Sequence, residues 1–340
     1  MPEESPQPEA IAATAALDGS RVCVTGGAGF IGSALARRLL ELGARVAVID
    51  DHSGSDTGRV ADLLDDFGDQ LEFFRASILE PAALAEAVSG ASIVFHLAAV
   101  SAAGVSLEEP TRVFDVNAAG TQRALEAARL AGASRFVYAG SCSAYGRQPT
   151  PHVESLAPDP LSPYAASKLA GEHAVAAYDR SMGLPGVSLR FFNVYGPGQS
   201  ADSAYAAVIP AFIDRMTAGR RVVLHGEGRQ TRDFVHINDV VRALLLAAGS
   251  GPVNVGSGRE TSVRELAGII GRLTGFGDSV EKVSETGKPR QGDVPASRAS
   301  VDRAREALGF TARVDLEEGL RRTIAARSPD AAEAARRDAS

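Results

Sequence analysis

Between residues 21 and 192, short runs of β-branched and apolar residues alternate with Ala-, Leu- and Arg-rich segments of helical period. Six such runs, each six residues long, start at residues 21, 45, 71, 93, 135 and 187. Strands that alternate with helices are joined by right-handed crossovers, which produce a parallel sheet covered by helices on both faces. The sequence therefore predicts an α/β fold built on a doubly wound parallel sheet.

The pattern loosens after residue 193. A helical segment is predicted at 206–218, a short strand at 221–225 and a helix that opens at residue 238 or 239. A further strand at 252–256 is placed to rejoin the sheet. We therefore assign 21–192 plus about 234–258 to the sheet domain, and 193–233 with 259–327 to a smaller, mixed C-terminal lobe. A ligand cleft is expected between them, at the carboxyl ends of the strands.

The ends of the chain differ from this folded body. Residues 1–20 are rich in Pro, Glu and Ala and lack the basic and apolar regions of a signal peptide. Residues 328–340 are polar and charged, with little to bury. We interpret these segments as a disordered leader and a disordered tail. No apolar run approaches the roughly 20 residues that cross a bilayer, so no membrane association is expected.

Composition narrows the range of partners. The formal net charge of −7 opposes binding to phosphate polymers, so no nucleic-acid partner is expected. The two cysteines, Cys23 and Cys142, offer neither a disulfide framework nor metal-ligand spacing. This usage fits a reducing, cytoplasmic location and predicts no metal site.

A glycine-rich turn follows the first strand and leads directly into a helix. It places Gly26, Gly29 and Gly32 around the helix start at Phe30 and Ile31. Glycines in this pattern allow a tight turn and let a diphosphate approach the free N–H groups of the helix. An ordinary glycine-rich strand–helix turn is the alternative. The order of strand, turn and helix favours a Rossmann dinucleotide site.

The second strand ends at Asp50, 24 residues after Gly26, and Asp51 follows. A carboxylate in this place accepts hydrogen bonds from the adenine ribose and repels a 2′-phosphate. The alternative is that Asp50 only caps the strand end. The spacing favours NAD over NADP as the cofactor.

Tyr164 and Lys168 are four residues apart at the start of an Ala-rich helix, so they share one helical face. A neighbouring cation favours phenolate, so we expect Lys168 to lower the pKa of Tyr164 toward that of a working general base. Chance alone gives this spacing often, but Ser141, at the end of the fifth strand, can bring a hydroxyl to the phenol. The three residues predict an acid–base site above the cofactor.

From residue 21 to about 320, the chain resembles the extended short-chain dehydrogenase/reductases, and within them the nucleotide-sugar 4-epimerases of the UDP-glucose 4-epimerase type. The matching strings are TGGAGFIG (25–32), FHLAA (95–99), NAAGT (117–121), GSCSAYG (140–146), YAASK (164–168), RFFNVYGPGQ (190–199), YAAVIP (205–210), RQTRDFVHINDV (229–240), NVGSG (254–258) and RQGDV (290–294). The resemblance implies an NAD-binding domain followed by a substrate-binding lobe.

The resemblance also implies residue roles. Ser141 would be the catalytic hydroxyl, Tyr164 the base and acid, and Lys168 the residue that holds the nicotinamide ribose. Further cofactor contacts would come from Ser77, Ile78, Leu97, Ala98, Ala99, Asn117 and Phe192. The UDP-sugar would be held by Ser101, Ser143, Asn193, Val208, Leu224, His225, Arg232, Arg290 and Ser297, with a small residue at position 297 admitting an N-acetyl group.

Two departures from the family pattern affect these expectations. Ser77 stands where relatives carry an Asp that holds the adenine amine, although the Ile78 backbone N–H can still donate to adenine. Cys142 and Ser143 stand where related dehydratases carry Asp-Glu and decarboxylases Glu. Without a carboxylic acid beside Tyr164, elimination lacks an acid–base group, whereas 4-epimerisation needs none.

The sequence therefore predicts a 4-epimerase of UDP-glucose and UDP-galactose, and of their N-acetyl forms, acting through a 4-keto sugar. A UDP-glucuronate 4-epimerase, a dehydratase or reductase on another nucleotide sugar, and a non-catalytic NAD-binding scaffold are the alternatives. His96, His225 and Cys142 are interpreted as structural or packing residues. Family members often pair through helices such as 118–131, so a homodimer is expected by analogy.

Overall fold

The computed structural model describes residues 17–55, 57–101, 103–201, 207–288 and 294–327. The predicted tail and most of the predicted leader lie outside these ranges. The strands are β1 Arg21–Thr25, β2 Arg45–Ile49, β3 Leu71–Phe74, β4 Ile93–His96, β5 Arg135–Ser141, β6 Gly186–Phe191, β7 Asn193–Tyr195, β8 Val222–His225, β9 Thr231–Arg232, β10 Phe234–His236, β11 Gly251–Val255, β12 Thr261–Ser262 and β13 Ser284–Gly287.

The helices lie between these strands and pack on them. They are α1 Phe30–Glu41, α2 Gly58–Phe67, α3 Pro81–Val88, α4 Ala103–Glu108, α5 Pro110–Phe114, α6 Gly120–Leu130, α7 Pro163–Ser181, α8 Val208–Thr217, α9 Ile237–Leu245, α10 Val263–Leu273, α11 Val280–Val283, α12 Asp302–Leu308 and α13 Leu316–Ala325. A π-helical turn, Asp115–Ala119, joins α5 to α6.

Seven strands form one parallel sheet in the order β11-β6-β5-β4-β1-β2-β3. The order reverses between β1 and β4, which confirms the predicted doubly wound topology. β11 pairs with β6, as expected of a strand that rejoins the sheet. Ligands of such sheets bind where the strand order reverses, at the carboxyl ends.

Each face of the sheet has its own apolar core. Along β1, Val22 and Val24 face a core covered by α1 and α9, whereas Cys23 faces one covered by α3, α6 and α7. This alternation follows from the opposite directions of successive side chains in a strand. Each fully buried Val or Leu contributes about 2 kcal/mol of stabilisation. Both faces are thus sealed, and the strand ends form the accessible edge.

The C-terminal part has a smaller, mixed arrangement. β7 and β8 pair in parallel with β10 and β13, and β9 pairs antiparallel with β12. A third core lies between α8, α10 and α13. α12 instead packs on the large sheet, where Ala304 and Leu308 join the core beside α9.

The last residues of the predicted leader are ordered against the sheet domain. Leu17 is buried in the core beside α1, and its carbonyl accepts a hydrogen bond from Ser20 N at 3.0 Å. The folded body therefore starts before β1, because an apolar side chain at position 17 is covered by the sheet domain.

Candidate active site

The glycine-rich turn after β1 passes close to the end of β4. Gly26 has a φ of +69°, and a Cβ atom there would lie 2.6 Å from Ala98 N. A Cβ atom at Gly32 would lie 2.1 Å from Gly26 O, so α1 begins directly against the turn. Only glycine allows both features. The structure thus brings the turn and the Leu97–Ala98 backbone to one edge of the sheet.

The start of α1 leaves its first backbone N–H groups available to a ligand. Gly29 is the N-cap residue, it makes no side-chain cap, and the first turn carries no acidic residue. Phe30 and Ile31 begin the helix and are half-buried. Free N–H groups at the positive end of a helix favour an anion. This cradle fits the diphosphate of a dinucleotide.

Asp50 joins the glycine-rich turn to the loop after β2. Its Oδ2 accepts a hydrogen bond from Ala28 N at 3.1 Å, and its Oδ1 accepts from His52 N and Ser55 Oγ, both at 2.9 Å. Asp51 is exposed beside it. The Asp50 carboxylate is therefore fixed beside the cradle, where a ribose hydroxyl can reach it.

The predicted adenine side lies after β3. Ser77 N donates to Glu80 Oε1 at 2.9 Å, and Ser77 Oγ accepts from Leu79 N at 3.3 Å. Ile78 is buried against α6, where a Cβ atom at Gly120 would lie 2.6 Å from its Cδ1 atom. The polar groups of Ser77 therefore hold the local turn together.

A buried histidine connects β1, β4 and α6 below the site. Thr121 Oγ1 donates to Asn117 O at 2.6 Å, so His96 Nε2 must donate to Thr121 Oγ1 at 3.0 Å. His96 Nδ1 then accepts from Thr25 Oγ1 at 2.7 Å, which in turn accepts from Ala98 N at 3.2 Å. Burial lowers the pKa of His96 to about 3, and the ring is neutral. This confirms the structural interpretation of His96.

Asn117 ties the end of β4 to α7. Its Oδ1 accepts from Val100 N at 2.8 Å, and its Nδ2 donates to Val100 O at 3.1 Å and to Ser167 Oγ at 3.0 Å. Ala99 precedes this anchored residue at the same strand end. Asn117 therefore fixes the backbone after β4 to α7, the helix that carries Tyr164. This backbone is predicted to border the nicotinamide.

The first turn of α7 is set by its own sequence. Ser162 Oγ accepts from Ala165 N at 3.1 Å, and Pro163 occupies the first helical position. Tyr164 and Lys168 follow one turn apart on the same face. The Lys168 side chain is buried, and its Nζ lies 4.5 Å from the centre of the Tyr138 ring.

Ser141 places its hydroxyl near Tyr164, where hydrogen bonding from Ser141 lowers the pKa of the phenol. Its Oγ accepts from Ser143 N at 3.2 Å and from Ser143 Oγ at 2.8 Å. Because these two bonds use its acceptor positions, the Ser141 proton is available to donate toward the phenol oxygen. Ser143, expected at the sugar, is turned toward Ser141.

The pKa of Tyr164 differs from the sequence expectation. Burial raises it, the hydrogen bond with Ser141 lowers it, and the neighbouring Cys142 raises it. We expected Lys168 to lower it, but Lys168 is not among the groups that shift it. Burial lowers the pKa of Lys168 itself to about 7, because desolvation disfavours its charge. The spacing in the sequence predicts that Tyr164 and Lys168 lie together. It does not predict the desolvation that is the largest cause of the pKa shift of each group.

Arg232 and Ser297 lie close to Cys142, on the side of the site predicted to hold the substrate. Arg232 Nη1 donates to Val294 O at 2.8 Å, and Ser297 N donates to Thr231 O at 3.2 Å. Burial raises the pKa of the Cys142 thiol to about 11, opposed by a hydrogen bond with Ser297 and by the charge of Arg232. These side chains therefore form one wall of the site.

The other predicted substrate residues lie on several elements. Asn193 begins β7 and is half-buried, Val208 begins α8, and Ser101 is exposed beyond β4. Leu224 is buried in β8, where Thr286 is its partner in β13, and His225 Nδ1 is bonded to Lys288 O at 2.8 Å. Arg290 lies outside the described residues.

Phe192 has a different environment from the one expected. Its side chain is 4% exposed and packs with Tyr145 and Ala299, and its N donates to Val255 O at 3.0 Å. The Phe192 ring is therefore covered by Tyr145 and Ala299, and little of its surface remains for contact with a nicotinamide.

Three further residues support this region without having been singled out from the sequence. Tyr138 lies under Lys168 and donates its hydroxyl proton to Lys168 O at 3.0 Å. Arg59 spans from Ala28 O to Gly198 O, and Asp233 is buried beside Arg232. Asp233 falls inside the string RQTRDFVHINDV, which could have drawn attention to it. The other two carry no local signal.

Within the described ranges, no cluster of His, Cys, Asp or Glu side chains is arranged to hold a metal ion. In the same part of the chain, no helix combines the length and apolarity that crossing a membrane requires.

Comparison with known proteins places this geometry in context. The chain is 40% identical to UDP-glucose 4-epimerase of Mycolicibacterium smegmatis over 314 residues, covering 89% of this chain and 97% of that protein. It resembles the crystal structure of UDP-glucose 4-epimerase from Thermotoga maritima with UDP-glucose, with a TM-score of 0.83 and 33% identity, over 90% of this chain and 98% of the other.

A third similarity is to MoeE5 in complex with UDP-glucuronic acid and NAD, with a TM-score of 0.80 and 36% identity over 90% of this chain and 98% of that one. The model of the NAD-dependent epimerase/dehydratase family matches residues 22–256. By its sequence, its doubly wound sheet and these similarities, the chain belongs to the NAD-dependent epimerase/dehydratase family.

Proposed function

We propose that the protein is an NAD-dependent 4-epimerase of UDP-hexoses, interconverting UDP-glucose and UDP-galactose and their N-acetyl forms through a 4-keto sugar. The observation that carries this proposal is the position of Tyr164 one turn from Lys168 on α7 and near the Ser141 hydroxyl, with no carboxylic acid at positions 142 and 143. A general base and a supporting hydroxyl suffice for oxidation and reduction at C4, whereas elimination needs a further acid–base group.

The residues of the cradle fit NAD. The free N–H groups at Phe30 and Ile31 would hold the diphosphate, and Asp50 the adenine ribose. Lys168 and the backbone at Leu97 and Ala98 would border the nicotinamide half. When bound, NAD supplies a reversible hydride acceptor for C4 of the sugar.

Tyr164 would remove the proton from the sugar 4-hydroxyl as C4 is oxidised. Ser141 would donate its hydrogen bond to the phenol oxygen and keep that oxygen directed at the substrate. Arg232 would hold the diphosphate while the 4-keto sugar turns over, since its planar guanidinium suits phosphate oxygens. Tyr164 then returns the proton to the epimeric alcohol.

A product screen tests the function. Purified protein would be incubated separately with UDP-glucose, UDP-N-acetylglucosamine and UDP-glucuronate, and the sugars identified by NMR. We expect the 4-epimer of the first two, because Ser297 is small and lies beside Cys142 at the sugar wall. Strict refusal of the N-acetyl sugar would contradict the role given to Ser297.

UDP-glucuronate 4-epimerisation is the second candidate, supported by the similarity to a protein solved with UDP-glucuronic acid. Turnover of UDP-glucuronate alone would favour it. A dehydratase or reductase would release a 4-keto or deoxy product in the same NMR screen. A non-catalytic scaffold would bind NAD yet show no change in nicotinamide absorbance when any UDP-sugar is added.

The proposed assembly is a homodimer. Helices α4 and α5 pack against α7 on one side. Each also carries an exposed apolar side chain: Leu107 on α4 is 70% exposed and Phe114 on α5 is 41% exposed. A surface covered by a partner typically carries exposed apolar side chains in one continuous patch. Light scattering on the purified protein should give twice the 35.3 kDa chain mass. A monomer at assay concentration would refute the dimer without affecting the proposed chemistry.

A further inference from the structure

Asp233 is a fully buried carboxylate next to Arg232, and it is saturated with hydrogen bonds. Its Oδ1 accepts from Ser257 N and Ser257 Oγ, both at 2.7 Å. Its Oδ2 accepts from Gly258 N at 2.9 Å and from Ala299 N at 3.1 Å. A carboxylate can accept from four donors and a side-chain amide cannot, since the amide nitrogen has no acceptor.

The four donors come from two segments that are far apart in sequence. Ser257 and Gly258 belong to the loop after β11, and Ala299 follows Ser297 by two residues. The fit is close, because a Cβ atom at Gly256 would lie 2.8 Å from Asp233 Oδ2. The carboxylate therefore fastens both segments to the strand that carries Arg232.

The main chain around Asp233 extends the same connection to other proposed substrate residues. Its carbonyl oxygen accepts from Asn193 N at 2.9 Å. Thr231, two residues earlier, accepts from Ser297 N at 3.2 Å and donates its N–H to Pro295 O at 3.0 Å. Segments carrying three of the predicted substrate residues thus meet at the main chain of residues 231–233.

We propose that Asp233 is a positioning residue for the substrate wall: it fixes the Ser297 segment against Arg232 and Cys142, and so sets affinity for the UDP-sugar. The inference rests on the proposed function, which makes Arg232 and Ser297 substrate contacts. Asp233 itself touches neither substrate nor cofactor. Its loss should therefore weaken substrate binding more than it slows the chemistry at Tyr164.

Asp239 provides a matched control. It is also a buried carboxylate, six residues further along, and it accepts from Arg313 N and Val314 N, both at 3.0 Å, and from Arg242 Nη2 at 3.1 Å. It fastens the segment before α13 to α9 and has no bond to Arg232, Ser297 or Cys142. Its loss removes a comparable buried network away from the substrate wall.

The experiment compares Asp233→Asn and Asp239→Asn as purified holoenzymes. The readouts are the UDP dissociation constant by calorimetry, KM and kcat with the sugar that the wild type turns over, NAD content and melting temperature. For Asp233→Asn we expect UDP affinity to fall and KM to rise about tenfold, because the new amide N–H would face the buried donors that Asp233 now accepts from. The kcat should stay within about threefold of wild type, and NAD should be retained. Asp239→Asn should melt earlier with KM unchanged.

An unchanged KM in Asp233→Asn, or an equal rise in both variants, would overturn the proposal. If Asp233→Asn fails to fold, Ser257→Ala replaces it. That variant removes the Oγ bond to Oδ1, together with the bond that Oγ accepts from Arg259 N at 3.2 Å. KM should rise about threefold, and no rise overturns the proposal. A wild-type protein that binds no UDP and converts no UDP-sugar would instead refute the proposed function.

Discussion

Tyr164 and Tyr178 lie on the same helix, but only the Tyr164 hydroxyl is bonded to Ser141. Tyr178 Oη is bonded to Gln122 Nε2 at 2.7 Å and to Glu126 Oε2 at 3.0 Å, on α6. Tyr164→Phe removes the proposed general base and should lower kcat by about 10³-fold, within the range that such groups contribute. The measurement is the NMR turnover assay with the preferred UDP-sugar.

Tyr178→Phe removes the same atom from the same helix and serves as the control. It should keep near wild-type turnover. Both variants should retain NAD and the wild-type circular dichroism spectrum, because neither hydroxyl belongs to the cradle at α1. Substantial activity in Tyr164→Phe would refute its role as the base.

His96 should make stability depend on acid pH. Its folded pKa is lowered to about 3 by burial, while the unfolded side chain titrates near pH 6.5. Below about pH 6.5 the unfolded state therefore binds a proton that the folded state does not, and stability falls as pH falls. Each such histidine contributes up to about 1.4 kcal/mol per pH unit. Burial also lowers the pKa of His236, to about 4, and that of His152, so three groups act together.

Urea unfolding between about pH 7.5 and pH 5 measures this slope, above the range where most carboxylates titrate. His96→Gln should lower stability at neutral pH yet flatten the slope, because it removes one of the titrating groups. His173→Gln, at an exposed position on α7, should leave the wild-type slope. An unchanged slope in His96→Gln would contradict the prediction.

At the scale of single elements, the start of α1 depends on the absence of a side chain at Gly32. A Cβ atom there would lie 2.1 Å from Gly26 O and 2.7 Å from Gly27 Cα, both backbone atoms of the turn. Gly32→Ala must therefore displace the turn that forms the cradle. We expect loss of bound NAD and destabilisation by about 2 kcal/mol or more, as overpacking typically costs.

Gly54→Ala is the control, because a Cβ atom at Gly54 would have no heavy atom within 4 Å. It should keep both NAD and the wild-type melting temperature. NAD content after gel filtration and a thermal melt distinguish the two variants. Full retention of NAD in Gly32→Ala would show that the turn tolerates displacement and would refute the cradle geometry.

The strands are predictable because they are short runs of apolar and mostly β-branched or aromatic residues, and most of these side chains are buried. All six predicted runs of the sheet domain, and the strand that rejoins the sheet, appear in the parallel sheet. Helices such as α2 and α10 were not located, since the periodic signal of α2 is short and that of α10 lies in the lobe where the pattern loosens. The predicted helix 118–131 matches α6, Gly120–Leu130, but the π-helical turn Asp115–Ala119 that leads into α6 has no signal in the sequence. Local pattern thus identifies the sheet better than its connections.

At the scale of the whole molecule, the sequence predicts which functional groups lie at strand ends and helix starts. It does not predict the contacts between segments that are distant along the chain. Tyr164, Ser141 and the glycine-rich turn were found because their spacing is local. The bonds of Asp233 and the cation–π contact of Lys168 with Tyr138 need the folded chain. The pKa of Tyr164 is raised and not lowered as the sequence predicts, because it depends chiefly on burial in the folded chain.

Arg59 connects the glycine-rich turn of the cofactor cradle to the C-terminal part of the molecule. Arg59 Nη1 donates to Ala28 O at 3.3 Å in the glycine-rich turn, and Arg59 Nη2 donates to Gly198 O at 2.7 Å in the loop after β7. A 4-epimerisation restores its oxidised cofactor in every cycle, so slow cofactor release costs no turnover. We therefore expect this bridge to help retain NAD.

Arg59→Ala should raise the NAD dissociation rate about tenfold, since two hydrogen bonds of ordinary strength contribute about 1–2 kcal/mol. Its kcat at saturating NAD should stay near wild type, because Arg59 contacts neither Tyr164 nor Ser141. Arg37→Ala, which removes an exposed arginine paired with Asp66, is the control and should release NAD at the wild-type rate. The rate is measured by exchanging bound NAD for a labelled pool. Equal rates in both variants would show that the bridge does not govern cofactor release.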